Sequence, residues 1–480
     1  MPLSLICMIR NEIKMKQTHS TFYAYILLTA FASFVVLFLI KDSYYGLSWF
    51  YLPSSRWIWP SSSQSPLDQV NRKSFIMNLK KGFKDTSKKD ADMEKLERLE
   101  AGLAMARALI KEASSLDQNY TSLHKDIDYV PHGDIYRNSC AFHRSYLLME
   151  KLFKIFVYEE GEPPLLHYGP CKNIYSMEGL FLSLMETDTK FRTLNPDEAQ
   201  VFFLPFSVVM IIEHLFHPII RDKAVLERTV VDYVRIISHK YTYWNRSLGA
   251  DHFMLSCHDW GPRATWYERQ LYFNSIRVLC NANTSEYFNP KKDASFPEIN
   301  LITGEIADLT GGLPPSNRTI LAFFSGKMHG KLRPLLFQHW KEKDKDVLVY
   351  ETFPEGLSYQ EMMKKSRYCI CPSGHEVASP RIVEAIYAEC VPVLISQNYV
   401  FPFSDVLNWE SFSIQVSVSD ISNLKNILLG IPEDQYLRMR ERVKQVQQHF
   451  LINNPPKRYD VFHMIIHSIW LRRLNVKLIS

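Results

Sequence analysis

Short apolar runs alternate with helical stretches from about residue 136 onwards, and this alternation constrains the fold more than any other feature of the chain. Predicted strands cover residues 154–158, 199–206, 252–255, 319–324, 346–350, 368–370, 391–395 and 412–418. Such an order is typical of βα units that build largely parallel, buried sheets. A Pro/Gly-rich stretch at 311–315 separates two blocks of these units. We therefore predict an α/β fold with two facing domains, 131–312 and 313–480.

The apolar run at 22–40 contains no charged residue. A helix of about 20 apolar residues crosses the roughly 30 Å hydrocarbon core of a bilayer, whereas a cleaved signal peptide has a shorter apolar core. Basic residues are more frequent before this run than directly behind it, which favours a cytosolic tail at 1–21. The sequence thus predicts an uncleaved signal anchor and a single-pass type II membrane protein whose remaining residues are luminal.

Residues 41–130 are predicted to form a luminal stem. Its first part is rich in Ser, Lys and Pro, but the segment 90–113 places leucine, alanine and isoleucine at helical spacing. The resulting apolar stripe has two interpretations. Either this helix packs onto its own domain, or the stem self-associates as a short coiled coil and forms a homo- or heterodimer.

Four Asn-x-Ser/Thr sequons and seven of the eight cysteines follow the predicted span. The sequons predict N-glycosylation in the secretory lumen at Asn119, Asn245, Asn283 and Asn317. An oxidising lumen permits disulfides, but the sequence alone does not give their pairing. Cys369 and Cys390 each adjoin a predicted strand, so both can equally be buried thiols.

The composition suits a large folded core and a modest surface charge. Hydrophobic residues make up 46% of the chain, and the formal net charge of +5 is small for 480 residues. There is no basic stripe interleaved with aromatic residues, which is the pattern that nucleic-acid-binding proteins show. We therefore expect no nucleic-acid partner.

The segment 371–395 combines a strand end, a glycine-containing loop, a helix with Pro380 at its start, and a further strand. Free N–H groups and the helix dipole at such a helix start favour an anion such as a diphosphate. Ser379 is the predicted N-cap, Arg381 adds a fixed positive charge, and Glu384 lies on the same helical face, where its carboxylate can accept two ribose hydroxyls. The alternative is an N-cap serine beside an Arg–Glu surface pair.

This segment resembles the signature of the exostosin family of inverting glycosyltransferases, glycosyltransferase family 47, in its plant cell-wall branch. Further matching pieces lie at residues 136–142, 156–158, 199–205, 249–253, 256–261 and 323–327. The resemblance implies a GT-B type fold, with two facing Rossmann-like domains and the nucleotide-sugar donor held mainly by the C-terminal half. His375 stands where Tyr is common in the family, and Glu389 stands where Gly is common.

Residues 323–333 follow the first predicted strand of the second block. Gly326 allows the backbone to approach a ligand closely, and Lys327 and Arg333 are candidates to neutralise a diphosphate leaving group. The segment is not a Walker A loop, because three rather than four residues separate Gly326 from Gly330. A solvated basic turn is the alternative.

The segment 251–260 is a short predicted strand with His and Asp at both ends. Inverting transfer needs a base for the proton of the acceptor hydroxyl, and the carboxyl end of a strand suits such a group. His258 and Asp259 lie there and are the candidate bases, whereas Asp251 and His252 precede the strand. A His–Asp pair that fixes a loop is the alternative, and a zinc site is a weaker one because no spaced second pair of ligands follows.

Transferases of the GT-A type hold a divalent cation with an Asp-x-Asp element. The matches here begin at Asp90, Asp126 and Asp344, in the stem region or in a charged stretch rather than at a strand end. We therefore predict catalysis without an obligatory metal. No cofactor is expected either, since the nucleotide-sugar is a co-substrate.

The resemblance implies transfer of a sugar from a nucleotide-sugar, a UDP-sugar being the expected donor, in the Golgi lumen. The expected acceptor is a cell-wall polysaccharide or a glycoprotein glycan, and the expected location is the Golgi membrane. The rival hypothesis is a non-catalytic Golgi glycan-binding or scaffold protein that retains the fold.

Overall fold

The computed structural model describes residues 72–115 and 129–478, and within them it describes side chains from residue 93 onwards. The chain divides into two compact units. One unit is Lys14–Arg98, whose described part is helical. The other comprises the described residues from Leu99 onwards, and it contains both sheets.

Several sequence predictions fall outside the described residues. They are the cytosolic tail 1–21, the span 22–40, much of the stem, and the sequon at Asn119. Among the residues that are described, no helix combines the length and the apolar character needed to cross a membrane.

Helices and strands alternate through the described chain. The helices are α1 (Arg72–Ser114), α2 (Ser139–Leu152), α3 (Ser176–Thr187), α4 (Val208–Leu215), α5 (Ala224–Lys240), α6 (Thr242–Ser247), α7 (Arg269–Phe273), α8 (Leu332–Trp340), α9 (Tyr359–Lys365), α10 (Arg381–Tyr387), α11 (Leu424–Leu429), α12 (Glu433–Val446) and α13 (Val461–Asn475). The strands are β1 (Ile155–Val157), β2 (Arg192–Thr193), β3 (Val201–Phe203), β4 (His252–Ser256), β5 (Ile276–Leu279), β6 (Ala294–Ser295), β7 (Ile320–Ser325), β8 (Val347–Tyr350), β9 (Ser366–Pro372), β10 (Val391–Ile395) and β11 (Ile414–Gln415).

The first sheet has six parallel strands in the order β2-β1-β3-β4-β5-β6. Successive side chains of its central strands enter two different core clusters: Phe203 and Phe253 enter one, and Phe202 and Met254 enter the other. Both faces of the sheet are therefore covered. This explains why β3 and β4 read as almost continuous apolar runs rather than as apolar–polar alternation.

The second sheet has five parallel strands in the order β11-β10-β9-β7-β8. Every residue of β10 is buried, and Val391 to Ile395 pair in register with Tyr368 to Pro372 of β9. The larger core cluster contains residues of both sheets. The predicted α/β fold with parallel sheets is thus confirmed, and the two sheets fall on either side of Gly312. The domain limits themselves stay a prediction.

Each predicted strand is present, but the structure adds three strands that the sequence reading missed: β2, β5 and β6. In β5 the reason is Arg277, which interrupts the apolar run although the strand is fully buried. Its guanidinium donates to both carboxylate oxygens of Asp293, at 3.1 and 2.6 Å, and to Tyr287 O at 2.7 Å. A buried charge is tolerated where it is paired in this way.

The last helix, α13, returns to the first sheet and packs against α2, β5 and β6. Two consecutive arginines at its end anchor it. Arg472 donates to Asp293 O at 2.6 Å, and Arg473 donates to Gln200 O at 2.7 Å. The chain segment that follows the second sheet therefore completes the core of the first.

The predicted helix at 90–113 is present as part of the longer α1. Leu103 and Ala106, from its apolar stripe, are buried in the main core, and Glu100 pairs with Arg473. Packing onto its own folded body therefore accounts for these stripe residues. Self-association through the stem stays a prediction.

Two disulfides resolve pairings that the sequence left open. Cys257 bonds to Cys280, and Cys369 bonds to Cys390, so the latter two are not buried thiols. Cys371 is a buried free thiol. The Cys257–Cys280 bond joins the carboxyl ends of β4 and β5, the edge at which parallel α/β sheets bind ligands.

A buried group of tyrosines and histidines links α2, α13 and the segment before α13. Tyr136 donates to His449 Nε2 at 2.6 Å, and His449 Nδ1 donates to Tyr459 O at 2.9 Å. His467 Nε2 lies 2.9 Å from Ser145 Oγ. Burial lowers the pKa of His449 to about 4 and that of His467 to about 3. Both imidazoles are consequently neutral in the folded protein at neutral pH.

We expect the free energy of unfolding to fall as the pH decreases from about 6.5 to about 4. In this window the unfolded chain protonates these histidines while the folded protein does not, so protons favour unfolding. A His449→Gln variant should lose up to about 3 kcal/mol of this pH dependence, which corresponds to its pKa shift. Denaturant unfolding at several pH values measures the effect. A pH dependence equal to that of the unmodified protein would contradict it.

Candidate active site

The carboxyl ends of strands from both sheets meet at one place in the folded body. Asn281, directly after the Cys257–Cys280 disulfide, donates to Glu376 Oε2 at 2.9 Å and to Asp259 O at 3.0 Å. Asn281 and Asp259 follow β5 and β4 of the first sheet, whereas Glu376 follows β9 of the second. The candidate site is built around this junction.

Two arginines pack against one phenyl ring at the edge of the second sheet. The guanidinium carbons of Arg381 and Arg333 lie 4.8 and 5.7 Å from the ring centroid of Phe324. Arg381 donates to Ser325 O at 2.7 Å, and Arg333 donates to Lys327 O at 3.2 Å. Neither arginine has an ion-pair partner among the residues that the structure describes.

Three buried donors in this region have no hydrogen-bond partner within the described structure. They are Arg333 Nε, Arg381 Nε and Ser379 Oγ, and Arg333 and Ser379 are only 8% and 4% exposed. Burial, followed by the charge of Arg381, lowers the pKa of Arg333 to about 10. Buried donors without partners are costly, and an anion would satisfy them.

Two glycines make the arginine arrangement possible. A Cβ atom on Gly326 would collide with Arg381 Nη2, and one on Gly330 would collide with the carbonyl oxygen of Gly374. Gly330 also has a positive φ of 64°. These contacts hold the loop after β7 against the loop after β9.

The predicted donor-site residues Gly326, Arg333 and Arg381 are thus brought together. Lys327 joins them through its carbonyl, while its side chain is exposed.

The predicted N-cap role of Ser379 is wrong. The helix α10 begins at Arg381, Pro380 occupies the N-cap position, and no side chain caps the helix. The carbonyl of Ser379 accepts from Ile382 N at 3.3 Å, while its hydroxyl stays buried and unpartnered. Pro380 itself has helical backbone angles, with φ of −63° and ψ of −20°, so the residue next to the helix start is this proline and not Ser379.

Glu384 lies beside a cavity of about 260 Å³ at the side of α10. Its Oε2 accepts from the Tyr359 hydroxyl at 3.0 Å, and its Oε1 is 3.5 Å from Asn300 Nδ2. The cavity is lined mainly by apolar side chains, which include Ile299, Leu309, Met363, Val383 and Tyr387. It therefore offers a flat apolar group a place next to a carboxylate that binds hydroxyls.

Glu298, which the sequence reading missed, follows β6 of the first sheet. It is 5% exposed, and burial raises the pKa of its carboxyl well above the ordinary value. The charges of Asp259 and Glu384 raise it further, while those of Arg381 and Arg333 lower it. All four groups are therefore within electrostatic range of one carboxyl. No sequence motif marks Glu298, since its position depends on the path of the chain after β6.

The two candidate bases at the end of β4 differ in what they can do. His258 Nδ1 accepts from Trp260 N at 2.9 Å, and burial lowers the pKa of His258 to about 4. Its other nitrogen, Nε2, then carries the proton, so His258 is a donor rather than a base. Asp259 hydrogen-bonds with Tyr175, and burial raises the pKa of its carboxyl.

Asp251 and His252 lie at the opposite end of β4 and are fully buried. His252 contacts Asp251 Oδ1 at 2.8 Å and the Tyr158 hydroxyl at 2.8 Å. They form an internal structural network away from the junction, with Asp251 directly before the strand and His252 as its first residue.

Glu178 of α3 positions the segment that carries His258 and Asp259, and the sequence reading missed it too. Its Oε1 accepts from Ser207 Oγ at 2.6 Å and Val209 N at 3.0 Å. Its Oε2 accepts from Ser256 Oγ at 2.9 Å and Cys257 N at 2.8 Å. Burial raises the pKa of this carboxyl, and the hydrogen bonds oppose that effect. The carboxyl ends of β3 and β4 are thereby fixed to one side chain.

The two departures from the family pattern occupy different surroundings. His375 is exposed beside His329, with ring centroids 5.2 Å apart, and its charge acts on Asp259. Glu389 has a positive φ of 52°, which is the conformation that glycine adopts without strain, and it pairs with Arg440 of α12. His375 thus faces the junction, whereas Glu389 lies in the turn after α10.

The remaining predicted features lie away from the junction. Asp344 and Asp346 both pair with Lys425, at 2.7 and 2.9 Å, as expected for a structural charge cluster. Among the described residues, no three His, Cys, Asp or Glu side chains are grouped as metal ligands. Of the described sequon asparagines, Asn245 and Asn317 are exposed, while Asn283 is buried and accepts from Ser285 N at 3.0 Å.

Comparison with known proteins identifies the family. Residues 149–431 match the family described as the Exostosin GT47 domain. An Arabidopsis thaliana protein named a probable glycosyltransferase is 63% identical over 466 residues, which cover 94% of this chain and 97% of the relative. A second Arabidopsis protein of that name is 57% identical over 86% of this chain and 79% of its own length. A rice protein named a probable glucuronosyltransferase is 26% identical over 66% of this chain and 77% of its own length.

Replacing Gly330 with Ala should destabilise the protein more than the matched change Gly356→Ala. Both glycines have a positive φ, of 64° and 80°, which costs a non-glycine residue about 1–2 kcal/mol. Only Gly330 adds a collision with Gly374 O, since a Cβ on Gly356 meets no atom within 4 Å. Thermal unfolding of the two variants measures the difference. Equal midpoints would show that the two loops are not held together as described.

Proposed function

Because the chain belongs to the exostosin GT47 family and is a glycosyltransferase, we propose that it transfers a sugar from a UDP-sugar to a hydroxyl of a cell-wall polysaccharide or glycoprotein glycan, with inversion at the anomeric carbon. The two parallel sheets are consistent with a GT-B type arrangement. The donor then binds at the edge of the second sheet, and the acceptor approaches from the first.

The observation that carries this proposal is the set of unpartnered donors beside Phe324. Arg333 Nε, Arg381 Nε and Ser379 Oγ are buried at the carboxyl end of parallel strands, and none of them has a hydrogen-bond partner among the described residues. A diphosphate would accept from all three and would be neutralised by two guanidinium groups. The same groups would stabilise the charge that develops on the diphosphate as it leaves the sugar.

The nucleoside would extend from the diphosphate toward Glu384. Its ribose hydroxyls would take over the carboxylate oxygens that now accept from Tyr359 and contact Asn300. The base would then enter the apolar cavity beside α10. Cavities with apolar walls and a few polar groups at the rim are typical of such ligands.

In the transfer step, the oxygen of an acceptor hydroxyl attacks the anomeric carbon of the donor sugar. The new C–O bond forms as the bond to the diphosphate oxygen breaks, and the leaving group keeps the electron pair. The arginines supply the positive charge at that oxygen, so the proposed reaction has no obligatory metal ion. A carboxylate between the sheets takes the proton, and Asp259 and Glu376 are there.

The proposed location is the Golgi lumen, with the segment 22–40 as a signal anchor. The two disulfides support an oxidising compartment, because such bonds are rare in the cytosol. The exposed sequon asparagines Asn245 and Asn317 are accessible to N-glycosylation, and Asn119 and Asn283 are the further proposed sites.

Replacing Arg381 with Ala should weaken UDP binding by about 10- to 100-fold, since a hydrogen bond to a charged group contributes about 1.5–3 kcal/mol. Glu384→Ala should weaken UDP binding but leave binding of inorganic diphosphate unchanged. Isothermal titration calorimetry of both ligands separates the two effects. The matched control is Arg438→Ala, because Arg438 forms a surface pair with Asp434 of the same helix.

Equal UDP affinity in Arg381→Ala and in the control would refute the diphosphate site. The metal-free mechanism is tested in the same protein by following UDP release from a panel of UDP-sugars in EDTA. Release that stops in EDTA and returns with manganese would refute it.

A further inference from the structure

The side chain of Glu376 connects the second sheet to the first. It lies in the loop between β9 and α10 that also carries Ser379 and leads to Arg381. Its Oε2 accepts from Asn281 Nδ2 at 2.9 Å, and Asn281 belongs to the edge of the first sheet. Its Oε1 has no hydrogen-bond partner among the described residues, and the side chain is half-buried. One oxygen is thus fixed across the junction while the other is available.

We propose that Glu376 is the catalytic base that takes the proton from the acceptor hydroxyl, an inference that rests on the proposed transfer reaction. The carboxylate accepts the proton as the acceptor oxygen bonds to the anomeric carbon, and the diphosphate leaves toward Arg333 and Arg381. Glu376 becomes neutral, and the negative charge appears on the diphosphate. No oxidant, reductant or further reactant is needed.

The surroundings of Glu376 suit a group that gains and loses a proton near neutral pH. Asn281 Nδ2 carries two hydrogens but contacts three acceptors: Glu376, Asp259 O and Glu286 Oε2 at 3.1 Å. Its own Oδ1 is buried and has no hydrogen-bond partner in the part of the chain that the structure describes. Its two hydrogens therefore cannot satisfy all three acceptors at once. A carboxylate that is left without this hydrogen bond binds a proton more readily.

The charges around Glu376 act in the same direction. Burial, then the carboxylates of Glu286 and Asp259, raise the pKa of Glu376 to about 7, while Asn281 and the ammonium of Lys223 lower it. A general base works best when its pKa lies near the operating pH. When the environments of two neighbouring carboxyl groups give them different pKa values, one group commonly acts as the acid or base and the other stabilises charge.

The other groups at the junction are less suited to accept the proton. The lone pair of His258 Nδ1 already accepts a hydrogen bond from Trp260 N. Asp259 hydrogen-bonds with Tyr175 and is influenced by the charge of His375. Asp259 is therefore a carboxylate that is fixed by a hydrogen bond, and its charge raises the pKa of both Glu376 and Glu298. Glu376 carries the oxygen that is free to meet an acceptor.

The test compares Glu376→Gln, Glu286→Gln and Asp259→Asn with the unmodified protein. UDP affinity is measured by calorimetry, and UDP release is measured with UDP-glucose, UDP-galactose, UDP-xylose, UDP-arabinose and UDP-glucuronic acid on xyloglucan, xylan and pectin oligosaccharides. Glu376→Gln should lower kcat by about 100-fold or more, as loss of a general base does, with UDP affinity unchanged.

The dependence of kcat on pH separates a catalytic role from a structural one. In the unmodified protein kcat should rise with pH through about 7, as Glu376 loses its proton. Glu286→Gln should retain turnover but move this rise to lower pH, since one of the charges that raise the pKa is gone. In Glu376→Gln the rise should be absent.

Two results would overturn the assignment. One is a Glu376→Gln variant with normal kcat and a normal pH profile. The other is loss of the pH-dependent rise in Asp259→Asn while Glu376→Gln keeps it, which would make Asp259 the base. Either result leaves UDP binding and the transfer reaction in place. By contrast, an unmodified protein that neither binds UDP nor releases it from these donors would refute the proposed function, and the base assignment with it.

Discussion

Two guanidinium groups pack against the Phe324 ring, and neither has a carboxylate partner in the part of the chain that the structure describes; the rest of the site depends on this arrangement. Burial and the neighbouring charge of Arg381 disfavour the charged form of Arg333 and lower its pKa to about 10. The backbone is shaped to permit this. Gly326 makes room for Arg381, and Gly330 lets the loop after β7 approach the loop after β9. An anion that accepts from the unpartnered nitrogens would remove this cost, which supports the proposed diphosphate site.

Four glutamate carboxyl groups of the candidate site are held in distinct environments, and their differences suit them to separate roles. Glu178 accepts four hydrogen bonds and fixes the strand ends. Glu298 is buried, its pKa is raised, and the charges of Asp259 and of both arginines act on it. Glu384 faces a cavity and accepts from a hydroxyl, as it would from ribose. Glu376 contacts Asn281 across the junction with one oxygen, and its other oxygen has no hydrogen-bond partner among the described residues, which suits proton transfer.

Much of the fold could be predicted because most of its strands are largely buried and therefore apolar. The run 391–395 reads as a strand from its apolar residues alone, and the structure gives β10 the same limits. The strand β5 could not be found in this way, because Arg277 interrupts it and is accommodated only through Asp293, a partner outside the strand. The disulfide pairing likewise depends on which strand ends are neighbours, and local sequence does not contain that information.

The site residues could be predicted only where the residues that indicate the chemistry lie together in one short segment. Gly326 lies in the loop after β7, Arg333 in the first turn of α8, and Arg381 and Glu384 in the first turn of α10, in segments whose glycines and charges point to an anion site. Glu376 stands in the same signature, but nothing in its neighbours along the chain distinguishes it. The surroundings that suit Glu376 to proton transfer include Asn281 and Glu286. These two residues are distant in sequence and are brought close by the junction of the two sheets. Glu178 and Glu298 depend on tertiary contacts in the same way.

The most direct measurement is a crystal structure of the protein with UDP bound. The proposed site places oxygens of the diphosphate about 3 Å from both Arg333 Nε and Arg381 Nε, the distance of a charge-assisted hydrogen bond, with the ribose at Glu384. A structure in which the diphosphate binds elsewhere, and both Nε atoms remain without a partner, would contradict the central role of the arginine pair.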